Sequence, residues 1–122
     1  MRLDGGTMSG LPAATDTAPA STLGVQVLDG HDSTWVILEG EADIATLAHL
    51  RDALGQVVLD GARPVQLDVT ELVFADVATI RQLATFARQA RQSGHSVRTC
   101  GAGPTLSKVA TILGFRTELG IP

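Results

Sequence analysis

Apolar positions change their spacing several times along this chain, and each change marks an element. From Leu23 to Leu28 they alternate, with Leu23, Val25 and Val27 on one side and Gly24, Gln26 and Leu28 on the other, the two-residue period of a strand. Asp29-Gly30-His31-Asp32 is a turn signal, and Thr34 to Glu39, with Trp35, Val36, Ile37 and Leu38, reads as a second strand. Two strands around so short a turn form an antiparallel hairpin. Beyond Glu39-Gly40-Glu41-Ala42 the period lengthens to three and four residues: Ile44, Leu47, Leu50, Leu54 and Val57 make one stripe, as on the buried face of a helix. Asp43 sits where its carboxylate can accept the first free amides of that helix, and Asp60-Gly61 is its expected stop.

Pro64 to Val69 is a third strand, and a strand that follows a helix that follows a strand implies a crossover unit. A second helix is predicted over Asp76–Ser93, with Ile80, Leu83, Ala84, Ala87 and Ala90 inward and Arg81, Gln82, Arg88, Gln89, Arg91 and Gln92 mostly outward. Gly94 closes it. Ser96 to Cys100 is a fourth strand, Gly101 to Pro104 a tight turn, and Leu106, Val109, Ala110 and Leu113 the inner face of a last helix ended by Gly114. Phe115 to Leu119 is expected to add a short final strand. The sum is an α/β domain: a small mixed sheet of about four to five strands with helices packed on it.

Residues 1–22 carry neither period and are rich in Gly, Ala, Thr, Ser and Pro. They are expected to be a disordered tail, with Met8 as a second candidate start, so that the folded domain covers 23–122. The 122 residues fit one domain. Hydrophobic residues make up 44% but aromatics only 3%, so the core is aliphatic and no base-stacking surface is expected. Net charge is -4, Lys108 is the only lysine, and no basic cluster occurs, which disfavours nucleic acid as a partner. The richness in Ala, Gly and Arg has the cast of a GC-rich bacterial genome. One cysteine, Cys100, cannot close an internal disulfide, and no apolar stretch has the length of a signal peptide core or a membrane span. A cytoplasmic protein with no membrane attachment is expected.

Candidate chemistry is sparse. His31, His49 and His95 share no metal-ligand spacing, and no metal or cofactor is expected. Cys100 reads as a buried small hydrophobe. Gly101-Ala102-Gly103-Pro104 lacks the lysine and hydroxyl of a phosphate-binding loop, and no serine lies in a nucleophile pattern. Catalysis has no visible candidate, so the chain is not expected to be an enzyme.

Four landmarks, in order, resemble the STAS domain of bacterial anti-sigma factor antagonists over about residues 23 to 119. Gly40-Glu41-Ala42-Asp43 is similar to that family's Gly-Glu-Leu-Asp, and Leu67-Asp68-Val69-Thr70 to its Leu-Asp-Leu-Ser. Phe74-Ala75-Asp76-Val77-Ala78-Thr79-Ile80 falls at its Phe-Ile-Asp-Ser-Ser-Gly-Leu, and Leu113-Gly114-Phe115 at the Gly-Leu after its last helix. The resemblance implies a STAS-like fold and a protein-binding module that regulates transcription indirectly, by binding an anti-sigma factor that is also a serine kinase. It places the contact surface at Ala42, Asp43, Phe74, Asp76, Val77, Ala78, Thr79 and Arg81. In the family the serine after the aspartate is phosphorylated, which adds about -1.5 to -2 charge at a helix tip. Val77 stands there in this chain, so that switch is chemically absent; Thr79 is the nearest substitute hydroxyl. The other reading the resemblance allows is a scaffold or sensing subunit, pairing with itself as a homodimer or serving a stressosome-like or lipid-transport assembly.

Overall fold

A computed structural model describes residues 22–57 and 63–122. The expected disordered tail over residues 1–21, and the residues Asp60 and Gly61 themselves, lie outside these. Thr22, assigned to the tail by its sequence, is tied to the second strand: its carbonyl accepts from the Glu41 amide at 3.1 Å, and its hydroxyl donates to the Glu41 carbonyl at 3.1 Å.

The strands are β1 (Leu23–Asp29), β2 (Thr34–Ala42), β3 (Val65–Ala75) and β4 (Val97–Cys100), in the spatial order β1-β2-β3-β4. β1 and β2 form the antiparallel hairpin, closed by the Gly30 amide donating to the Ser33 carbonyl at 2.9 Å. β2 with β3 and β3 with β4 are parallel, because each is reached through a helix, and parallel neighbours need such a crossover. The helices are α1 (Leu47–Gly55), α2 (Val77–Gln92), α3 (Pro104–Leu113) and a single turn, α4 (Arg116–Leu119).

Alternation along the central strands sorts the side chains. Thr34, Val36 and Leu38 of β2, and Val65, Leu67 and Val69 of β3, are buried, while Trp35, Ile37, Gln66 and Asp68 between them stay partly open on the outer side. Against the inner side lie Leu50 and Leu54 of α1, Ile80, Leu83, Phe86, Ala87 and Ala90 of α2, and Leu106 and Ala110 of α3, in one continuous core. Burying an aliphatic side chain of this size contributes about 1.5–3 kcal/mol, so the aliphatic interior stands in for the aromatics the sequence lacks.

Four expectations need correction. Ile44 is not in the buried stripe but 71% exposed, because residues Ile44–Thr46 form a tight 3-10 turn before α1, whose roughly 120° step takes Ile44 off the face that Leu50 and Leu54 keep while Thr46 points inward. α1 stops at Gly55, earlier than expected; glycine costs about 1 kcal/mol in a helix relative to alanine. β3 runs on past Thr70 to Ala75, since β2 extends alongside it and pairs Gly40 with Leu72, Glu41 with Phe74 and Ala42 with Ala75. Phe115–Leu119 is not a strand: Gly114 (φ +83°) and Gly120 (φ +69°) bracket the turn α4. That turn lies against the outer edge of β4, where Gly120 takes the Thr99 amide at 3.3 Å and Leu119 the Thr99 hydroxyl at 2.6 Å. Among the described residues no helix is long and apolar enough to cross a membrane.

Candidate functional site

β2 and β3 end side by side, and each is followed by the same short device: a buried alanine, an aspartate cap, and an exposed apolar residue. Ala42 pairs with Ala75, and the Asp76 amide donates to the Ala42 carbonyl at 3.1 Å. The aspartates then begin the two helical segments. Asp43 Oδ1 accepts from the amides of Ala45 (2.9 Å) and Thr46 (3.2 Å), and Thr46 Oγ1 accepts from the Asp43 amide at 3.0 Å, which completes a reciprocal capping box. Asp76 Oδ1 accepts from the Thr79 amide at 2.9 Å. Both aspartates therefore act as helix caps, and each also neutralises part of the positive end of its helical segment.

Gly40 sets the approach to the first tip. Its φ is +96°, and a Cβ there would lie 2.1 Å from the Thr22 carbonyl oxygen. Only glycine fits, and the pairing of β2 with β3 shifts register on either side of it.

Of the residues placed at the contact surface from the sequence, Val77 is 41% exposed, Arg81 is exposed, and Asp43, Phe74, Asp76 and Ala78 are partly buried. Ala42 and Thr79 require correction. Both side chains lie in the interior, Thr79 with no exposure at all, because it is on the face of α2 that carries Ile80 and Leu83 inward. Its hydroxyl has no hydrogen-bond partner. Ile44, the neighbour of Asp43 and expected in the buried stripe, is instead far more exposed than Val77.

The two tips thus present Ile44 and Val77, each next in the chain to its capping aspartate, Asp43 or Asp76. This is an apolar pair in an acidic setting. It offers no nucleophile with a base, and among the described residues no group of three or more His, Cys, Asp or Glu could hold a metal. His31 and His49 are exposed; His95 is buried, its Nδ1 3.0 Å from the Arg63 carbonyl. Cys100 is half-buried, a correction to its expected burial, with its thiol donating to Gln66 Oε1 at 3.3 Å. It borders a shallow hollow of about 480 Å³ on the outer side of the sheet with Trp35 and Arg98. The Gly101–Pro104 stretch is the expected tight turn: Gly101 has φ +81°, where a Cβ would meet Thr70 Oγ1 at 2.1 Å, and Pro104 opens α3.

A family model described as "Mlab, STAS domain" matches residues 25–121. The fold is similar to the crystal structure of an anti-sigma factor antagonist from Mycobacterium paratuberculosis, with a TM-score of 0.66 and 23% identity, covering 81% of this chain and 84% of that one. It is also similar to an antisigma-factor antagonist STAS domain from Rhodobacter sphaeroides, with a TM-score of 0.56 and 21% identity, covering 70% of this chain and 97% of that one. No curated protein sequence matches the chain.

Proposed function

We propose that this chain, which belongs to the STAS-domain family, is an anti-sigma factor antagonist-like binding module and not an enzyme. In the cytoplasm it docks the twin tips of α1 and α2 onto an anti-sigma factor and so frees a sigma factor. The observation that carries this reading is the pair Ile44 and Val77, 71% and 41% exposed, projecting beside two capping aspartates. Exposed apolar side chains beside carboxylates suit a partner groove that is apolar at its centre and basic at its rim. The likeness in fold to anti-sigma factor antagonists agrees with it.

Binding is constitutive with respect to the usual switch. Val77 has no hydroxyl to phosphorylate, and Thr79 is enclosed. An apolar residue at this tip keeps the surface in the state that an unmodified serine would give, and no kinase can add the charge that would repel a partner. The folded domain, taken as residues 23–122, suffices for docking.

Pull-down against the anti-sigma factors of the same organism tests this reading. Wild type is recovered and Asp76→Lys, which reverses the charge at the α2 tip, is not; equal recovery of both contradicts the site. Incubation with kinase-type anti-sigma factors, followed by phosphosite mapping, is expected to find no phosphate at Thr79.

A further inference from the structure

On the outer side of the sheet, three side chains stand in one row across three strands. Trp35 of β2 pairs in register with Gln66 of β3, and Gln66 with Arg98 of β4. Two strand spacings, about 10 Å at the main chain, separate the indole from the guanidinium. All three border the hollow of about 480 Å³, together with Cys100 and Ser107. That volume lies in the range of small-molecule sites, about 300–1,000 Å³.

The polar groups around the hollow are unbalanced toward donors. Gln66 Oε1 already accepts from the Cys100 thiol at 3.3 Å, which leaves the two N–H groups of the Gln66 amide to offer. The ion pairs among the described residues are Arg63 with Asp29 and Arg88 with Glu118. Arg98 and the Trp35 indole N–H have no partner among these residues. Ser107 adds a hydroxyl. The nearby acceptors are occupied: Asp68, the next outer residue of β3, accepts from the Thr70 amide at 3.0 Å and does not border the hollow. The oxygen of Pro122, which does border it, accepts from Arg116 Nη2.

We infer that this hollow binds a small aromatic carboxylate. The planar fork of Arg98 matches the two oxygens of a carboxylate, and the Gln66 amide can donate to the same group. Trp35 supplies a flat apolar wall at the other end of the row, against which a ring stacks. An inorganic anion would leave that wall unused, and a cation would meet Arg98. The row lies at the starts of β2, β3 and β4, whereas the tips of α1 and α2 follow the ends of β2 and β3. The site therefore stands whether or not those tips bind an anti-sigma factor.

Titration of the full 122-residue chain with phenylacetate tests the site. Trp35 is the one tryptophan, so its fluorescence reports from the hollow itself, and calorimetry gives the affinity. A saturable change is expected. Arg98→Gln removes the charge and the fork and is expected to raise the dissociation constant by about tenfold or more. Arg98 is exposed, so the Tm of this variant should equal that of wild type. Benzylamine, similar in shape and opposite in charge, is expected not to bind, and inorganic phosphate to bind at least about tenfold more weakly than phenylacetate. The inference is overturned if phenylacetate gives no saturable response, if Arg98→Gln binds it as tightly as wild type, or if benzylamine or phosphate binds as tightly as phenylacetate.

Discussion

The amide of Asp76 donates to the carbonyl of Ala42 at 3.1 Å, and this one bond fastens the two helix-starting loops to each other. Each loop is capped by its own aspartate, but their relative position is set by main chain, between residues whose side chains need not be specific. The twin-tip geometry therefore depends on backbone conformation at Gly40 and on the caps, and both can be tested separately from binding.

Asp43→Ala removes an acceptor for the amides of Ala45 and Thr46. Loss of an N-cap costs about 0.5–2 kcal/mol; the reciprocal bond, in which the residue 43 amide donates to Thr46 Oγ1, uses main chain and is kept. Urea denaturation should show a lower midpoint at unchanged slope; a midpoint equal to wild type would mean that the cap is not formed in solution.

Gly40→Ala places a methyl group 2.1 Å from the Thr22 carbonyl oxygen at φ +96°. Backbone strain of this kind costs about 1–3 kcal/mol, and here a steric clash adds to it. A drop of several degrees in Tm is expected, with weakened pairing of Thr22 to Glu41, readable as faster amide exchange at Glu41.

Thr79→Val exchanges a fully buried hydroxyl without a partner for a methyl group of the same shape. Leaving a polar group unsatisfied in the interior costs about 1–3 kcal/mol, so this variant is expected to be as stable as wild type or more so, by about 1 kcal/mol. A marked loss of stability would show that the hydroxyl is satisfied in solution.

Much of this was readable in the sequence, for reasons that differ by element. α2 follows from a clean three- and four-residue stripe between Asp76 and Ser93, and nothing in the tertiary structure overrides it. The hairpin follows from its turn chemistry. Ile44 was misplaced because it has the spacing of the α1 stripe, whereas the 3-10 turn breaks that phase locally. Phe115–Leu119 looks like a strand by composition, but its fate is decided at a distance. Arg88 and Arg91 of α2 hold Glu118 and the carbonyls of Thr117 and Glu118, and no local pattern records those contacts. The site is legible as an order of landmarks; the exposure of Ile44 and the enclosure of Thr79 are three-dimensional facts.

The bond between Arg88 and Glu118 (Nε–Oε2 2.7 Å, Nη2–Oε1 3.1 Å) gives a pH signature. Hydrogen bonding from Arg88 holds the Glu118 carboxyl below its ordinary range, with slight burial working against it and attraction to Arg88 and Arg91 adding to it. A carboxylate whose folded pKa is depressed contributes stability that is present above its unfolded pKa and lost as pH falls through the folded value. The pair is exposed to solvent, so the contribution is small. Glu118→Gln is expected to lose less stability than wild type between about pH 5 and pH 3, compared by urea midpoint; equal losses would mean that the pair does not form.

Contact of Ile44 and Val77 with the partner, as proposed, is tested most directly by a titration of the anti-sigma factor recovered with wild type. Val77→Asp adds an acid in the first turn of α2, where helix polarity favours it by about 0.3–1 kcal/mol, so folding is retained while the apolar contact is lost and charge is added. We expect Val77→Asp and Ile44→Asp each to weaken binding by about tenfold or more, roughly 1.4 kcal/mol, with unchanged Tm. Affinities equal to wild type for both variants would contradict the account.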